Sequence, residues 1–357
     1  MNNTALIIEF IVALSVLIIL HELGHFFMGR LFHVDIEEFG IGYPPKLAKL
    51  FEWDGIAFTI NWIPFGGFTR FKGEDDATVS NGLASSNKWK RLGILLGGSM
   101  MNFLAGIILF SVVFSSTGFP VEDTVVIQAV EPNSPAFEAG MQAGDILYEV
   151  MGEKIDRLDE VSPIIREHLG EEVPISILRG EEIILLTITP RTEWPEDQGP
   201  IGIVMSNPIE NLSFFNAIPR SISMAYEQSK QLLSLPIKLI RGEVNASDAR
   251  VLSPKGVYDI YAQVREEEIA AELDAIAIRL NTAWFFGIIS IGYGITNLLP
   301  IPALDGGRIL FLLPEIFIGK RVPQKFEYLV NAAGFFLLIL LMFYVFLQDI
   351  VNPVVLP

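Results

Sequence analysis

Four long apolar runs constrain this chain more than any other feature of its sequence. They are Ala5–Phe27, Leu92–Phe114, Leu280–Leu304 and Tyr328–Gln348. A bilayer core needs roughly 20 consecutive apolar residues per helix, and each run meets that length. The last three carry no charged residue, and the first is interrupted only by Glu9, His21, Glu22 and His25. Runs of this length read as membrane spans rather than as core helices of a soluble protein. The expected fold class is a polytopic α-helical membrane protein with four transmembrane helices. The first run lacks the marks of a cleavable signal peptide: Met1–Thr4 holds no positive charge, and His21 and His25 stand where a small-residue cleavage site would be.

Composition narrows the function classes. Of 357 residues, 51% are apolar and 19% charged, too oily for a disordered chain. There is no cysteine, hence no disulfide framework and no thiolate metal site. A net charge of −17 excludes nucleic acid as a partner. The acidic excess is local, because residues 117–278 hold 28 acids and 12 bases. Basic residues gather elsewhere: eight Lys/Arg in 28–92, then Arg308, Lys320, Arg321 and Lys325 between the last two spans. The positive-inside rule makes those segments cytoplasmic and puts the acidic block and both termini outside, in a cell or inner membrane. Arg279, at the outer edge of the third span, votes the other way.

Four regions follow. Residues 1–116 are the first half of a membrane core, with a β-hairpin region at 34–72. There, Ile56, Phe58, Ile60 and Trp62 alternate at period two after the turn signal Trp53-Asp54-Gly55. Gly66 and Gly67 follow, allowing close backbone approach. Residues 117–206 read as an inserted extracytoplasmic α/β module, with strands near Thr124–Val130, Val173–Leu178 and Ile183–Thr189 and a helix near Leu158–His168. Its run Ser134-Pro135-Ala136-Phe137-Glu138-Ala139-Gly140, continuing to Gly144-Asp145-Ile146-Leu147, resembles PDZ domains of bacterial envelope proteases. Gly199-Pro200-Ile201-Gly202-Ile203 resembles their carboxylate-binding loop and strand, placed last as in a circularly permuted PDZ domain. Residues 207–278 are an extracytoplasmic helical segment, expected as an amphipathic helix at the membrane surface or packed on the module. Residues 279–357 form the second half of the core.

The chemistry is concentrated in His21-Glu22-Leu23-Gly24-His25. Helical residues four apart share a face, so the two imidazoles can bind one Zn²⁺ while the adjacent Glu22 activates water. Ionisable groups inside a span are costly and are functional by default. The sixteen residues from Ala5 to Leu20 rise about 24 Å, which puts the metal in the cytoplasmic half of a ~30 Å core. A catalytic zinc wants a third protein ligand and an open position. Asp305 is the candidate. It follows Pro300 and Pro302, which break the third apolar run, and precedes Gly306 and Gly307, which let the chain turn back. Asn102, in the second run, reads as a packing residue.

The HELGH motif and Asn297-Leu298-Leu299-Pro300-Ile301-Pro302-Ala303-Leu304-Asp305-Gly306-Gly307 resemble the paired motifs of the site-2 protease family of intramembrane zinc metalloproteases. Gly97-Gly98-Ser99-Met100-Met101-Asn102, the hairpin, the single PDZ-like segment and the four spans extend the likeness over most of the chain. It is closest to the bacterial envelope-stress members. These often carry two PDZ domains and a Gly-Pro turn near the place of Leu252–Val257, and both features differ here. The resemblance implies Zn²⁺ held by His21, His25 and Asp305, with Glu22 as base. It implies cleavage in or next to the transmembrane segment of a single-pass substrate, after an upstream site-1 protease has cut outside the membrane. Such substrates include a membrane-bound anti-sigma factor or a signal-peptide remnant. Asn297 would position substrate or stabilise an oxyanion, unless it serves a hydrogen bond between helices. Gly66 and Gly67 would hold an extended substrate by edge pairing, and Pro200, Ile201, Gly202 and Ile203 would take a carboxylate. The module would act as a size filter or as a C-terminus reader. The competing reading is a non-proteolytic PDZ membrane scaffold or a metal-binding transporter; a transporter favours repeated halves and several intramembrane carboxylates.

Overall fold

The computed structural model describes residues 3–74, 76–121, 123–195, 198–245 and 250–354. Its elements in chain order begin with α1 (Asn3–Leu31), β1 (Ile36–Trp53), β2 (Ile56–Phe71) and α2 (Lys88–Thr117). Then come β3 (Phe119–Pro120), β4 (Val125–Val130), α3 (Pro135–Glu138), β5 (Ile146–Val150), β6 (Glu153–Lys154) and α4 (Leu158–Glu167). β7 (Val173–Arg179), β8 (Glu182–Ile188), β9 (Ile203–Ser206) and β10 (Ile209–Glu210) follow. The chain closes with α5 (Phe214–Ile240), α6 (Pro254–Ala270), α7 (Ala275–Leu298), α8 (Asp305–Phe317) and α9 (Gln324–Val351). Phe114–Ser213 form one unit, and the residues before and after them form the other.

Among the described residues, four helices are long and apolar enough to cross a membrane: Thr4–Leu31, Lys88–Thr117, Ala275–Leu298 and Gln324–Val351. Helices α1 and α2 meet through glycine. A Cβ on Gly24 would overlap the Gly97 carbonyl, so the missing side chains let the two backbones touch. The third helix stops at Leu298, ahead of the two prolines expected to break it, because Leu299 precedes a proline and is extended (φ −62°, ψ 143°). Asp305 then opens a thirteen-residue helix, α8, where only a loop was expected.

The hairpin region is a small sheet. Asp54 and Gly55, with φ of 53° and 76°, make the tight turn between Trp53 and Ile56. Both long strands bend, so that Glu38–Ile41 pair with Ala57–Ile60 and also with Gly67–Arg70. The buried Glu38 carboxylate ties the segments together, accepting from Thr59 Oγ1 (2.8 Å), Lys46 Nζ (2.9 Å) and Arg70 Nη1 (2.9 Å). Burial pushes its carboxyl up, but Lys46, Thr59 and Arg70 outweigh that and hold it below the usual range.

Helix α5 packs on α2 and α7. Ser111 Oγ of α2 donates to Ser221 Oγ (2.9 Å), and Gln228 Nε2 donates to the Ile288 carbonyl of α7 (2.8 Å). Ile288 lies about 20 Å along α7 from Ala275, so α5 runs beside the middle of a span. Helix α6 is pinned at both ends. Ser253 at its start donates through N and Oγ to the buried Asp349 of α9 (2.8 and 2.6 Å), and its Arg265 and Tyr261 both reach Glu9 of α1.

The smaller unit is a sheet in the order β8-β7-β5-β4-β9, with β6 on β5. Alternate residues of β7 (Val173, Ile175, Ile177) pack with Val125, Ile127 and Leu147 and with Val161 and Ile165 of α4. Its expected strands and helix lie where the sequence placed them. Asp145 is buried before β5, accepting from Gln142 N and from both Nε and Nη2 of Arg179. Burial raises its carboxyl, but the Arg179 guanidinium and the Gln142 amide prevail and hold it below the usual carboxylate range.

Candidate metal centre

His21 and His25 lie one turn apart on α1 and face α2. His25 Nδ1 is 2.8 Å from the Ile94 carbonyl, to which it donates. Its neutral ring therefore presents a lone pair at Nε2. His21 Nδ1 lies 3.1 Å from the Asn102 amide. Asp305, at the start of α8, completes the group. Leu299–Leu304 fold back beneath it because Gly306 and Gly307 pack where any Cβ would strike the carbonyls of Leu298, Leu299 and Ile301. The loop is fastened to α9 by Ala303 N donating to Asn331 Oδ1 (3.1 Å) and by Gly334 packed on Pro302.

The three donor atoms form a near-equilateral triangle. His21 Nε2 and His25 Nε2 are 3.2 Å apart, and each is 3.2 Å from Asp305 Oδ2. Tetrahedral zinc with bonds near 2.0–2.1 Å separates its ligand atoms by roughly 3.3 Å. With the His25 ring neutral, acceptor faces acceptor at Nε2, and Asp305 Oδ2 is buried without a hydrogen bond. A cation resolves that arrangement. The backbone also leaves room: a Cβ on Gly98 would stand 2.5 Å from His25 Nε2 and 2.6 Å from His21 Cε1. The donor set, its spacing and this gap fit zinc.

A cavity of about 640 Å³ opens on the triangle and is also lined by Glu22, Gly67, Asn297, Tyr43 and Tyr293, with Phe335 and Met342 of α9 on its wall. Gly67 lies close to Glu22, since a Cβ there would stand 3.1 Å from Glu22 Cγ. Thr69 Oγ1 donates to the Glu22 carbonyl (3.0 Å), so the sheet margin lies along the HELGH turn. Gly66 is not in the lining; it turns at φ +96° against the Tyr43 ring. Asn297 Nδ2 donates to the Tyr293 carbonyl within α7 (3.1 Å), not across helices. Tyr293 and Tyr43 were not anticipated; nothing in their spacing marks them, and only the folding of α7 and β1 brings them in.

In the smaller unit, Pro200, Ile201 and Ile203 line a groove of about 100 Å³ against Val161, Ser162 and Ile165 of α4. Gly202 is not part of that wall. It turns the loop at φ +71° and packs on Ser134, so a side chain there would break the loop.

The helices and the His/His/Asp triangle define a membrane metallopeptidase class. The match to peptidase family M50 covers residues 9–341, and the chain belongs to that family, the site-2 type of zinc metalloprotease. The protein named "Putative zinc metalloprotease CPE1693" of Clostridium perfringens is 32% identical, over 98% of this chain and 99% of its own length. "Regulator of sigma-W protease RasP" of Bacillus subtilis is 25% identical, over 96% of this chain and 98% of its own. Among solved structures, the PDZ domain of an SdrC-like protein from Listeria innocua is 28% identical, over 23% of this chain and 93% of that domain, with a TM-score of 0.21.

Proposed function

We propose that this protein is an intramembrane zinc protease that hydrolyses a peptide bond within or next to the transmembrane segment of a single-pass substrate. The observation that carries the reading is the 3.2 Å triangle of His21, His25 and Asp305 donors, because a helix running through a lipid core holds such a group only for use. His21, His25 and Asp305 are the proposed ligands. Zinc, when bound, supplies the Lewis acidity that brings a water's pKa to roughly 7 and polarises the scissile carbonyl. Glu22, in the same cavity, takes the proton of the attacking water and passes it to the departing amide nitrogen. Asn297 and Gly67 face the same space and position the substrate, whose helix unwinds and lies as an extended strand along the sheet margin at Gly67–Phe71.

The proposed substrate is a membrane-bound anti-sigma factor or a signal-peptide remnant, cut first outside the membrane by another protease, as the family resemblance implies; the name of its relative RasP, a regulator of sigma-W protease, supports a regulatory substrate. The smaller unit is a PDZ domain of circularly permuted type, by its Ser-Pro-Ala motif and by the groove between β9 and α4. Charge bias supports an outward position for it and for both termini, with the metal in the cytoplasmic half of the bilayer.

Glu22→Gln tests the reading. The variant keeps its zinc, while cleavage of a transmembrane substrate in detergent or liposomes falls at least about a hundredfold. Unchanged cleavage refutes the assignment.

A further inference from the structure

His25 has an unambiguous second partner, the Ile94 carbonyl, which accepts its Nδ1 proton. Among the described residues, His21 has no such carbonyl. Its Nδ1 faces the side chain of Asn102, which is fully buried on α2 and contacts the ring at 3.1 Å. The two ends of a carboxamide are related by a half-turn, and only the hydrogen-bond network distinguishes them. With Nδ2 toward His21, the imidazole must accept at Nδ1 and carry its proton on Nε2, where it faces Asp305. That orientation leaves Asn102 Oδ1 buried with no partner. The opposite orientation puts Oδ1 on the Nδ1–H, sends the imidazole proton away from Asp305 and matches the arrangement of His25.

We propose that Asn102 is a positioning residue of the metal centre: its Oδ1 accepts the Nδ1 proton of His21 and so fixes the ring and tautomer that present Nε2 to zinc. The inference rests on the metalloprotease reading above and assigns a task to a residue whose sequence context suggested packing alone. The rest of the structure holds Asn102 for that task. Ser290 Oγ of α7 donates to its backbone carbonyl (2.8 Å), and Gly294, one turn further, lets α7 close on the Ser99–Asn102 turn of α2. Asn102 thus sits between the helix bearing both histidines and the helix leading to Asp305. Partners at the outer nitrogen of a metal-binding histidine raise its basicity and hold its plane.

The experiment measures zinc affinity of the full-length, detergent-purified protein by chelator competition, so the readout does not depend on turnover. Asn102→Leu keeps the bulk but has no acceptor, Asn102→Ala lacks both, and Asn102→Asp keeps an acceptor oxygen. The expected result is a zinc Kd raised roughly 10- to 100-fold in the Leu and Ala variants and within about threefold of wild type in the Asp variant. Thermal unfolding of the metal-free proteins checks that the Leu variant is folded. A packing role predicts the reverse order, with Leu tolerated and Asp impaired. Wild-type affinity in both Leu and Ala, or an Asp variant as weak as Leu, overturns the proposal. A wild-type protein that fails to bind zinc overturns the metal centre itself, an outcome distinct from an effect confined to position 102.

Discussion

Gly98→Ala is the sharpest perturbation the structure offers, because it adds one methyl group to the face opposite the proposed metal ligands. The new Cβ would stand 2.5 Å from His25 Nε2 and 2.6 Å from His21 Cε1. Carbon–nitrogen contact at rest is about 3.5 Å, so the rings must retreat by roughly 1 Å. They have little freedom, since His25 is held at Nδ1 by Ile94 and His21 is in contact with Asn102. Metal–ligand distances tolerate about 0.2 Å. The added methyl group therefore costs the site its zinc while leaving the helix sound, because alanine favours a helix over glycine by about 1 kcal/mol. The expected outcome is zinc binding weakened at least about a hundredfold and cleavage lost. The unfolding temperature of the metal-free protein falls modestly, because overpacking strain of about 1–3 kcal/mol exceeds the helix gain. The assay pairs metal analysis and chelator competition with thermal denaturation in detergent. Wild-type zinc content and cleavage in Gly98→Ala would refute the close approach of α2 to the two imidazoles.

Two further outcomes concern the smaller unit. Asp145 has a depressed carboxyl in the folded protein, so its contribution to stability is present above the ordinary value of 3.8 and is lost as pH falls through the lower folded value. Hydrogen exchange across β4, β5 and β7 in the full-length protein should accelerate below about pH 4, and Arg179→Ala should raise exchange at neutral pH while flattening that acid-dependent step; identical profiles would remove the Asp145–Arg179 pair as the cause. Ser162→Trp fills the groove beside Pro200 and Ile203 from the exposed side of α4, without the loop damage that Gly202→Trp would bring. If the module reads a C-terminus, this variant stops cleavage of pre-trimmed substrate. If it is a size filter, trimmed substrate is still cut and only deletion of residues 117–206 admits untrimmed substrate.

The sequence by itself determined the features that depend on neighbours along the chain. Apolar run length set the four candidate spans, and four-residue spacing put His21 and His25 on one helical face. The Asp54-Gly55 pair closed the hairpin, and Pro300 and Pro302 ended the third helix. Each is a matter of local backbone geometry or of solvation per residue, which a linear pattern carries in full. Tertiary structure decided what depends on approach between distant segments. Nothing local says that Gly24 and Gly97 touch, that Gly98 leaves the space for a metal, or that Asn102 lies on His21 rather than in an apolar seam. The packing of α5 on α2 and α7 escaped sequence reading because its mixed polarity suits a surface helix, whereas Ser221 meets Ser111 and Gln228 Nε2 meets the Ile288 carbonyl only once distant helices come together. Helix α8 escaped it because thirteen residues are too few to register as a span, yet that short helix is what carries Asp305 to within 3.2 Å of both imidazoles. The sequence named Asp305 as the candidate third ligand, but its distance from the two imidazoles is set by packing between segments far apart in the chain.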